Sequence, residues 1–179
     1  SLDIIHELRK EISIPKAILG EKISIDGQTI QIPMSNEMGR NIAIIGTPDI
    51  ECNTAVGMAQ SISLSLALQY PKGNARFIWC DFSNKFEPDT AYVKAMENAG
   101  FFVESISPEQ FESLINDLQN TVQKDESIYI FGLFMDKWNY EKEPYGQGSC
   151  LKVFVENAPL NGIHFIGWWQ KVSNYNAQV

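Results

Sequence analysis

Asn41-Ile42-Ala43-Ile44-Ile45-Gly46-Thr47-Pro48-Asp49-Ile50-Glu51-Cys52-Asn53-Thr54 is the stretch that decides how the chain is read. Residues 42–45 are apolar and mostly β-branched, the composition of a strand buried on both faces. Gly46 ends the run. Residues 54–69 read as the following helix, closed by Tyr70-Pro71-Lys72-Gly73. A strand, a glycine-opened loop and a helix in succession aim backbone N–H groups at whatever the loop encloses, which suits an anion.

The side chains of that loop do not suit one. A working phosphate loop reads Gly-x-x-x-x-Gly-Lys-Ser/Thr, with backbone N–H groups and one ammonium around the phosphates. Here Gly46 supplies the first glycine, but Glu51 stands at the second, Cys52 at the lysine and Asn53 at the hydroxyl. Thr54 reaches the hydroxyl position only if the loop is one residue longer. Asp49 and Glu51 set carboxylates where phosphate oxygens would lie, and like charges at close range repel by about 1–4 kcal/mol. A helix N-terminus lowers a thiol pKa, but the two carboxylates beside Cys52 oppose that.

Downstream the unit repeats. Residues 75–81 form a second strand, 89–99 a helix ended by Gly100, and 101–106 a third, shorter strand. Ser107-Pro108-Glu109-Gln110 opens a helix with a cap, a first-turn proline and a glutamine able to reach back. Phe111, Leu114, Ile115, Leu118 and Val122 are its buried stripe. Residues 128–134 are a fourth strand. A polar loop with Pro144, Gly146 and Gly148, a helix over 149–157 and a fifth strand over 163–169 complete the alternation. Upstream, Leu2, Ile5, Leu8 and Ile12 mark an amphipathic helix. Ile23 and Ile25, then Ile30 and Ile32, flank Asp26-Gly27 as a hairpin. Residues 1–40 are thus a helix and hairpin packed on a core of 41–179, a single domain overall. Alternating strands and helices predict an α/β fold, a mostly parallel sheet with helices on both faces.

Composition narrows the function. Fourteen basic and 22 acidic residues leave a net charge of -8, a poor footprint for gripping nucleic acid or an anionic membrane surface. Cys52, Cys80 and Cys150 lack metal-ligand spacing, and with only His6 and His164 besides, no metal site is expected. A reduced, cytoplasmic setting without direct membrane contact is the expectation, within a parent that can be membrane-tethered. Gln178-Val179 is read as following directly on a strand, so the chain is expected to be a piece of something larger.

The order of motifs resembles the FtsK/SpoIIIE family of RecA-like DNA translocases over residues 17 to 172. Leu19-Gly20-Glu21 and the hairpin are similar to the family's entry into the nucleotide loop. Ser63 to Pro71, followed by the strand ending Cys80-Asp81-Phe82, resembles its passage of helix, His-Pro, strand and Asp-Phe. Gly162-Ile163-His164-Phe165-Ile166-Gly167-Trp168-Trp169-Gln170-Lys171-Val172 resembles the family's Gly-Ile-His-Leu-Ile-x-Ala-Thr-Gln-Arg-Pro. The resemblance implies a RecA-like P-loop NTPase fold, with ATP and magnesium as the family's cofactors. It places a nucleotide site at Gly46, Asn53, Thr54 and Gln170, the last where the family's glutamine senses the γ-phosphate.

The departures define the expected role. The family's acidic strand ends in Asp-Glu, whereas residues 128–134 contain no acid and the next is Asp136. Lys171 replaces an arginine. Phosphoryl transfer rests on a lysine, a metal and a positioned water sharing developing charge, so losing the lysine and the metal-holding acid together should abolish it. No catalytic residue and no cofactor is therefore expected for this chain. Asp81 and Asp136 lie at strand ends, where such folds bind ligands, and are read as helix caps or solvent-facing groups.

The first reading is a non-hydrolysing module in the assembly or regulation of a larger translocase, partnered by other RecA-like domains and meeting DNA only through the full assembly. Trp138, Tyr140, Trp168 and Trp169 suit either a protein interface or the core. The second reading is an active ATP-binding, DNA-translocating subunit with unconventional loop chemistry. A third, a dinucleotide enzyme, lacks Gly-x-Gly-x-x-Gly after the first strand and retains only Asp81 as a ribose signal.

Overall fold

The computed structural model describes residues 14–21, 27–48, 54–83, 90–120, 126–140 and 149–179. The helix expected over Leu2 to Ile12, Ile23 and Ile25, residues 49–53 and the loop of Pro144, Gly146 and Gly148 lie outside them.

Strands β1 (Lys16–Glu21) and β2 (Thr29–Pro33) form an antiparallel pair with an irregularity between Ile18 and Gly20. The hairpin thus begins earlier than the alternation of Ile23 and Ile25 suggests. Five further strands follow: β3 (Ile42–Ile45), β4 (Ala75–Asp81), β5 (Phe102–Ile106), β6 (Ser127–Leu133) and β7 (Ile163–Trp169). They form one sheet in the order β3-β7-β6-β4-β5, and every neighbouring pair is parallel. This is the fold class expected from strand-helix alternation, with the hairpin ahead of it.

The helices are α1 (Thr54–Ala67), α2 (Thr90–Asn98), α3 (Phe111–Asn120), α4 (Cys150–Asn157) and α5 (Val172–Gln178). Right-handed crossovers put α1 and α2 on one face and α3 and α4 on the other. Tyr92 of α2 accordingly donates to the carbonyl of Gln60 in α1, and α3 packs against α4. Helix α5 corrects the expectation that the chain ends on a strand. Ahead of α3, Pro108–Gln110 is a 3₁₀ turn rather than α-helix, with Ser107 N–H donating to Gln110 Oε1 at 3.0 Å.

Helix α1 also closes the hairpin. Lys16 N–H donates to Gln69 Oε1, whose amide donates back to the Lys16 carbonyl. Ile18 N–H donates to Ser65 Oγ, and Ser61 Oγ donates to the Ile18 carbonyl. Ser61 and Ser65, four apart on one face of α1, and Gln69 in the turn just past its end act as a substitute strand along β1.

The core is aromatic. Trp79 stacks on Phe131 with centroids 4.3 Å apart, and Phe77 stacks on Tyr129 at 5.5 Å. Trp138, Trp168 and Trp169 are buried, so of the two readings, interface or core, they take the core. Tyr140 is half-buried, with its hydroxyl donating to the carbonyl of Ala177.

Candidate functional site

Parallel sheets collect ligand-facing loops at the C-terminal ends of their strands. Here those ends bring Gly46 and Gln170 together. Ile45 pairs with Trp169, and Gly46 N–H donates to the Trp169 carbonyl at 3.0 Å. Gln170 follows immediately, half-buried. Thr54 opens α1 on an exposed surface, while Asn53 lies outside the described residues together with Asp49, Glu51 and Cys52. Gly46 and Gln170 thus lie side by side at the C-terminal ends of neighbouring strands.

Trp168 occupies the ground beside Gly46. Its indole Nε1 donates to the Gly46 carbonyl at 2.9 Å, and its ring packs on Phe134 with centroids 4.2 Å apart. The family pattern carries alanine at this position. An indole there fills volume next to the loop and ties up the loop's first carbonyl, a feature that a motif search keyed on charged residues passes over.

Strand β6 ends without a charge. Gly132 is followed by Leu133 and Phe134, both buried. A Cβ on Gly132 would lie 2.5 Å from Met135 Sδ and 2.8 Å from Phe165 Cζ. The end of this strand is packed shut, and a carboxylate there would have neither room nor solvation. Phe134 then adopts the left-handed conformation (φ 56°, ψ 44°). For a bulky residue this costs about 1–3 kcal/mol and persists only where the surroundings hold it.

The turn has a use. It leads into the 3₁₀ turn Met135–Lys137 and delivers Asp136 to the end of β7. Asp136 Oδ2 accepts from Gln170 N–H at 2.5 Å, and Oδ1 accepts from Lys171 N–H at 3.3 Å and from Asn174 Nδ2 at 2.6 Å. It ties the segment just ahead of α5, and the Asn174 side chain, to this turn, while the side chain of Lys171 makes no cap. Asp81, at the end of β4, is buried and accepts from Ser83 N–H at 2.8 Å and Ser83 Oγ at 3.0 Å. Both acids are held in structural hydrogen bonds.

Other reactive groups are muted. Burial, with lesser contributions from Asp81 and Glu109, pushes the Cys80 thiol up to about 12, so it is not a thiolate near neutrality. His164 is buried, stacks on Tyr129 at 5.4 Å, and donates from Nδ1 to the Arg40 carbonyl at 2.8 Å. Burial lowers its pKa. Its neighbour Asn41 accepts from Phe165 N–H and donates to the Val155 carbonyl, so Arg40-Asn41 is clasped just before β3 starts. Gly162, at φ 73°, closes the 3₁₀ turn Ala158–Asn161 in a conformation that favours glycine. The Gly-Ile-His sequence thus builds the entry to β7 and anchors the entry to β3.

No family model and no curated protein sequence matches the chain. Solved structures do. A Thermomonospora curvata EccC structure (ATPases 2 and 3), in complex with a signal sequence peptide, superposes with a TM-score of 0.61 at 12% identity, over 87% of this chain and 29% of that one. The cytoplasmic domain of the T. curvata type VII secretion ATPase EccC gives 0.62 at 13% identity, over 88% and 19%. EssC (ATPases 2 and 3) from Geobacillus thermodenitrificans gives 0.57 at 14% identity, over 89% and 34%. The chain therefore has the RecA-like P-loop fold of these ATPase domains, and it spans 19% to 34% of the length of these structures. Among the described residues, no helix is long and apolar enough to cross a membrane.

Proposed function

We propose that this chain is a non-hydrolysing RecA-like module of a larger FtsK/SpoIIIE-type motor, acting in the assembly or regulation of its ATPase neighbours. The observation that carries the reading is the packing at the end of β6. Gly132, Leu133 and Phe134 stand where the family's magnesium-holding acids belong, and Met135 and Phe165 occupy the space beside Gly132. The residues present do not fit a magnesium nucleotide. The loop adds Glu51 and Cys52 at the glycine and lysine positions, and Trp168 engages the carbonyl of Gly46. Phosphoryl transfer is chiefly electrostatic stabilisation, and neither the loop lysine nor a metal-holding carboxylate stands at the family's positions to supply it.

The partners in this reading are other ATPase modules of the same or related chains, supported by a fold shared with chains that carry more than one ATPase. Duplex DNA enters only through the full assembly. A net charge of -8 repels phosphate at long range, and a single module lacks the multiplicity of a ring.

Calorimetric titration of the chain with ATP and magnesium tests the proposal. We expect no binding below the millimolar range and no phosphate release. Micromolar affinity overturns it in favour of an active motor subunit. Fluorescence anisotropy with a labelled duplex near 150 mM salt, where the Debye length is about 8 Å, is expected to show no tight binding.

A further inference from the structure

Asn161-Gly162 is the only asparagine-glycine pair in the sequence. A glycine after asparagine leaves its amide nitrogen unshielded, since it has no Cβ. The asparagine carboxamide is then within reach of the chain's own backbone. Here the pair stands where the 3₁₀ turn Ala158–Asn161 hands over to β7.

The backbone around the pair is held on both sides. Gly162 N–H donates to the Pro159 carbonyl at 3.0 Å, and the Gly162 carbonyl accepts from Ile128 N–H at 2.9 Å. Gly162 is buried, and a Cβ there would stand 3.7 to 3.9 Å from the Asn36 side chain and the Glu126 carbonyl. Ile128 pairs with Ile163 at the start of the β6-β7 ladder. One glycine thus joins the turn to the first rung between two central strands.

We propose that Asn161 is a site of spontaneous covalent modification, converted to isoaspartate and aspartate through a cyclic imide, and that the 3₁₀ turn holds the reaction back until it opens. The nucleophile is the Gly162 backbone nitrogen after loss of its proton to solvent base. It bonds to Asn161 Cγ as the Cγ–Nδ2 bond breaks, and Nδ2 leaves as ammonia with a proton from water. Water then opens the imide. Attack at Cγ gives aspartate. Attack at the backbone carbonyl carbon gives isoaspartate, with the main chain rerouted through Cβ and Cγ. The step needs no oxidant, metal or partner. While the turn is closed, the proton of the nucleophile is committed to the Pro159 carbonyl. Closing the imide also pulls Asn161 out of its helical backbone angles. Opening of the turn therefore releases the reaction, as it releases hydrogen exchange of the same amide.

The product differs in two ways. It adds a negative charge to the net charge of -8. Isoaspartate also inserts a methylene ahead of Gly162, where the bond from Ile128 and the contacts with Asn36 and Glu126 leave no slack. A chain whose β7 entry has opened is thereby marked irreversibly. The inference does not rest on the proposed loss of hydrolysis and holds equally for an active subunit.

Ageing the full chain at mildly alkaline pH, folded and in guanidinium chloride, tests it. Peptide mapping by mass spectrometry follows loss of the amide at Asn161, and isoaspartyl methyltransferase labels the rerouted product. We expect ready conversion in denaturant and a native rate at least about tenfold slower. Pro159→Ala loosens the turn and should speed the native reaction about two- to fivefold, with no change in denaturant. Equal rates in the folded and denatured chain overturn the proposal, as does a native rate that Pro159→Ala leaves unchanged. Absence of conversion in denaturant overturns it too. The isoaspartate form, separated by chromatography, should lose at least about tenfold in exchange protection at the Ile128 amide. Asn161→Asp carries the charge on an ordinary backbone and should keep that protection. Equal protection in both overturns the claim that conversion breaks the entry to β7.

Discussion

Strands β6 and β7 lie side by side with Gly132 opposite Gly167, and the two glycines share a neighbour. The Phe165 ring approaches both Cβ positions, joined by Met135 at one and Trp169 at the other. Beyond this point the strands part ways. The end of β6 is apolar and sealed. The end of β7 is polar and tied, with Trp168 on the Gly46 carbonyl and Asp136 on the N–H groups of Gln170 and Lys171. One strand keeps the family's order of residues through its glutamine, while its neighbour keeps only the shape. A shared fold therefore needs the buried stripe of each strand but not the charges at its end.

The largest expected effect breaks this contrast at β6. Gly132→Asp would force a side chain to within 2.5 Å of Met135 Sδ and bury a carboxylate with no partner. We expect a loss of about 4 kcal/mol or more, or failure to fold, since overpacking costs about 1–3 kcal/mol and an unpaired buried charge adds to it. Urea denaturation measures it, with Gly132→Ala as the steric control. An aspartate variant within 1 kcal/mol of wild type (about a fivefold change in the folding equilibrium) would show that the strand end has room for an acid.

Next comes the tie at β7. Asp136→Ala removes an acceptor shared by two backbone N–H groups and the Asn174 amide. A loss of about 2 kcal/mol is expected, with early fraying of α5 seen by hydrogen exchange. A smaller effect belongs to Trp168→Phe, which keeps the ring against Phe134 but orphans the Gly46 carbonyl. We expect about 1.5 kcal/mol. If neither variant shifts the urea midpoint, the end of β7 is not held by these bonds and the contrast with β6 dissolves.

The sheet was legible in the sequence because its strands are near-continuous apolar runs ended by glycine, proline or polar residues. Residues 42–45, 75–81 and 163–169 were bounded without error. Helix α5 was not legible. Val172 to Gln178 has no apolar stripe to announce it, and the residues ahead of it are held by Asp136 from another segment. The extent of β1 was hidden for a similar reason, since its edge is satisfied by side chains of α1. Trp168 and Trp169 gave no sign from sequence of whether they face a partner or the core. That depends on the left-handed turn at Phe134, which brings a ring against Trp168. The placement of Gly46 beside Gln170 followed from the order of motifs. Residues 49–53, which carry most of the loop's chemistry, remain a reading of sequence.

The smallest effect sharpens the comparison at the opposite end of the same two strands. Tyr129 of β6 pairs with His164 of β7, and their rings stack. Tyr129 in turn shares a hydrogen bond of 2.7 Å with Tyr70, so the histidine sits in a closed aromatic setting with its Nδ1–H on the Arg40 carbonyl. Burial lowers its pKa from the ordinary 6.5. Between the lowered folded value and 6.5 the unfolded chain binds more protons than the folded one, so stability rises with pH across that window and is lost as pH falls through it. The slope cannot exceed about 1.4 kcal/mol per pH unit for one group. Between about pH 6.5 and 5.5, partial protonation of the unfolded histidine limits the loss to about 1 kcal/mol. His164→Gln retains a donor for the Arg40 carbonyl and cannot titrate. The difference in unfolding free energy between wild type and this variant should therefore shrink as pH falls from 6.5 to 5.5, in favour of the variant. A difference that stays flat means that His164 is protonated as readily folded as unfolded. The entry to β7 would then be open to water, and the Gly-Ile-His sequence would need a role other than anchoring the segment ahead of β3.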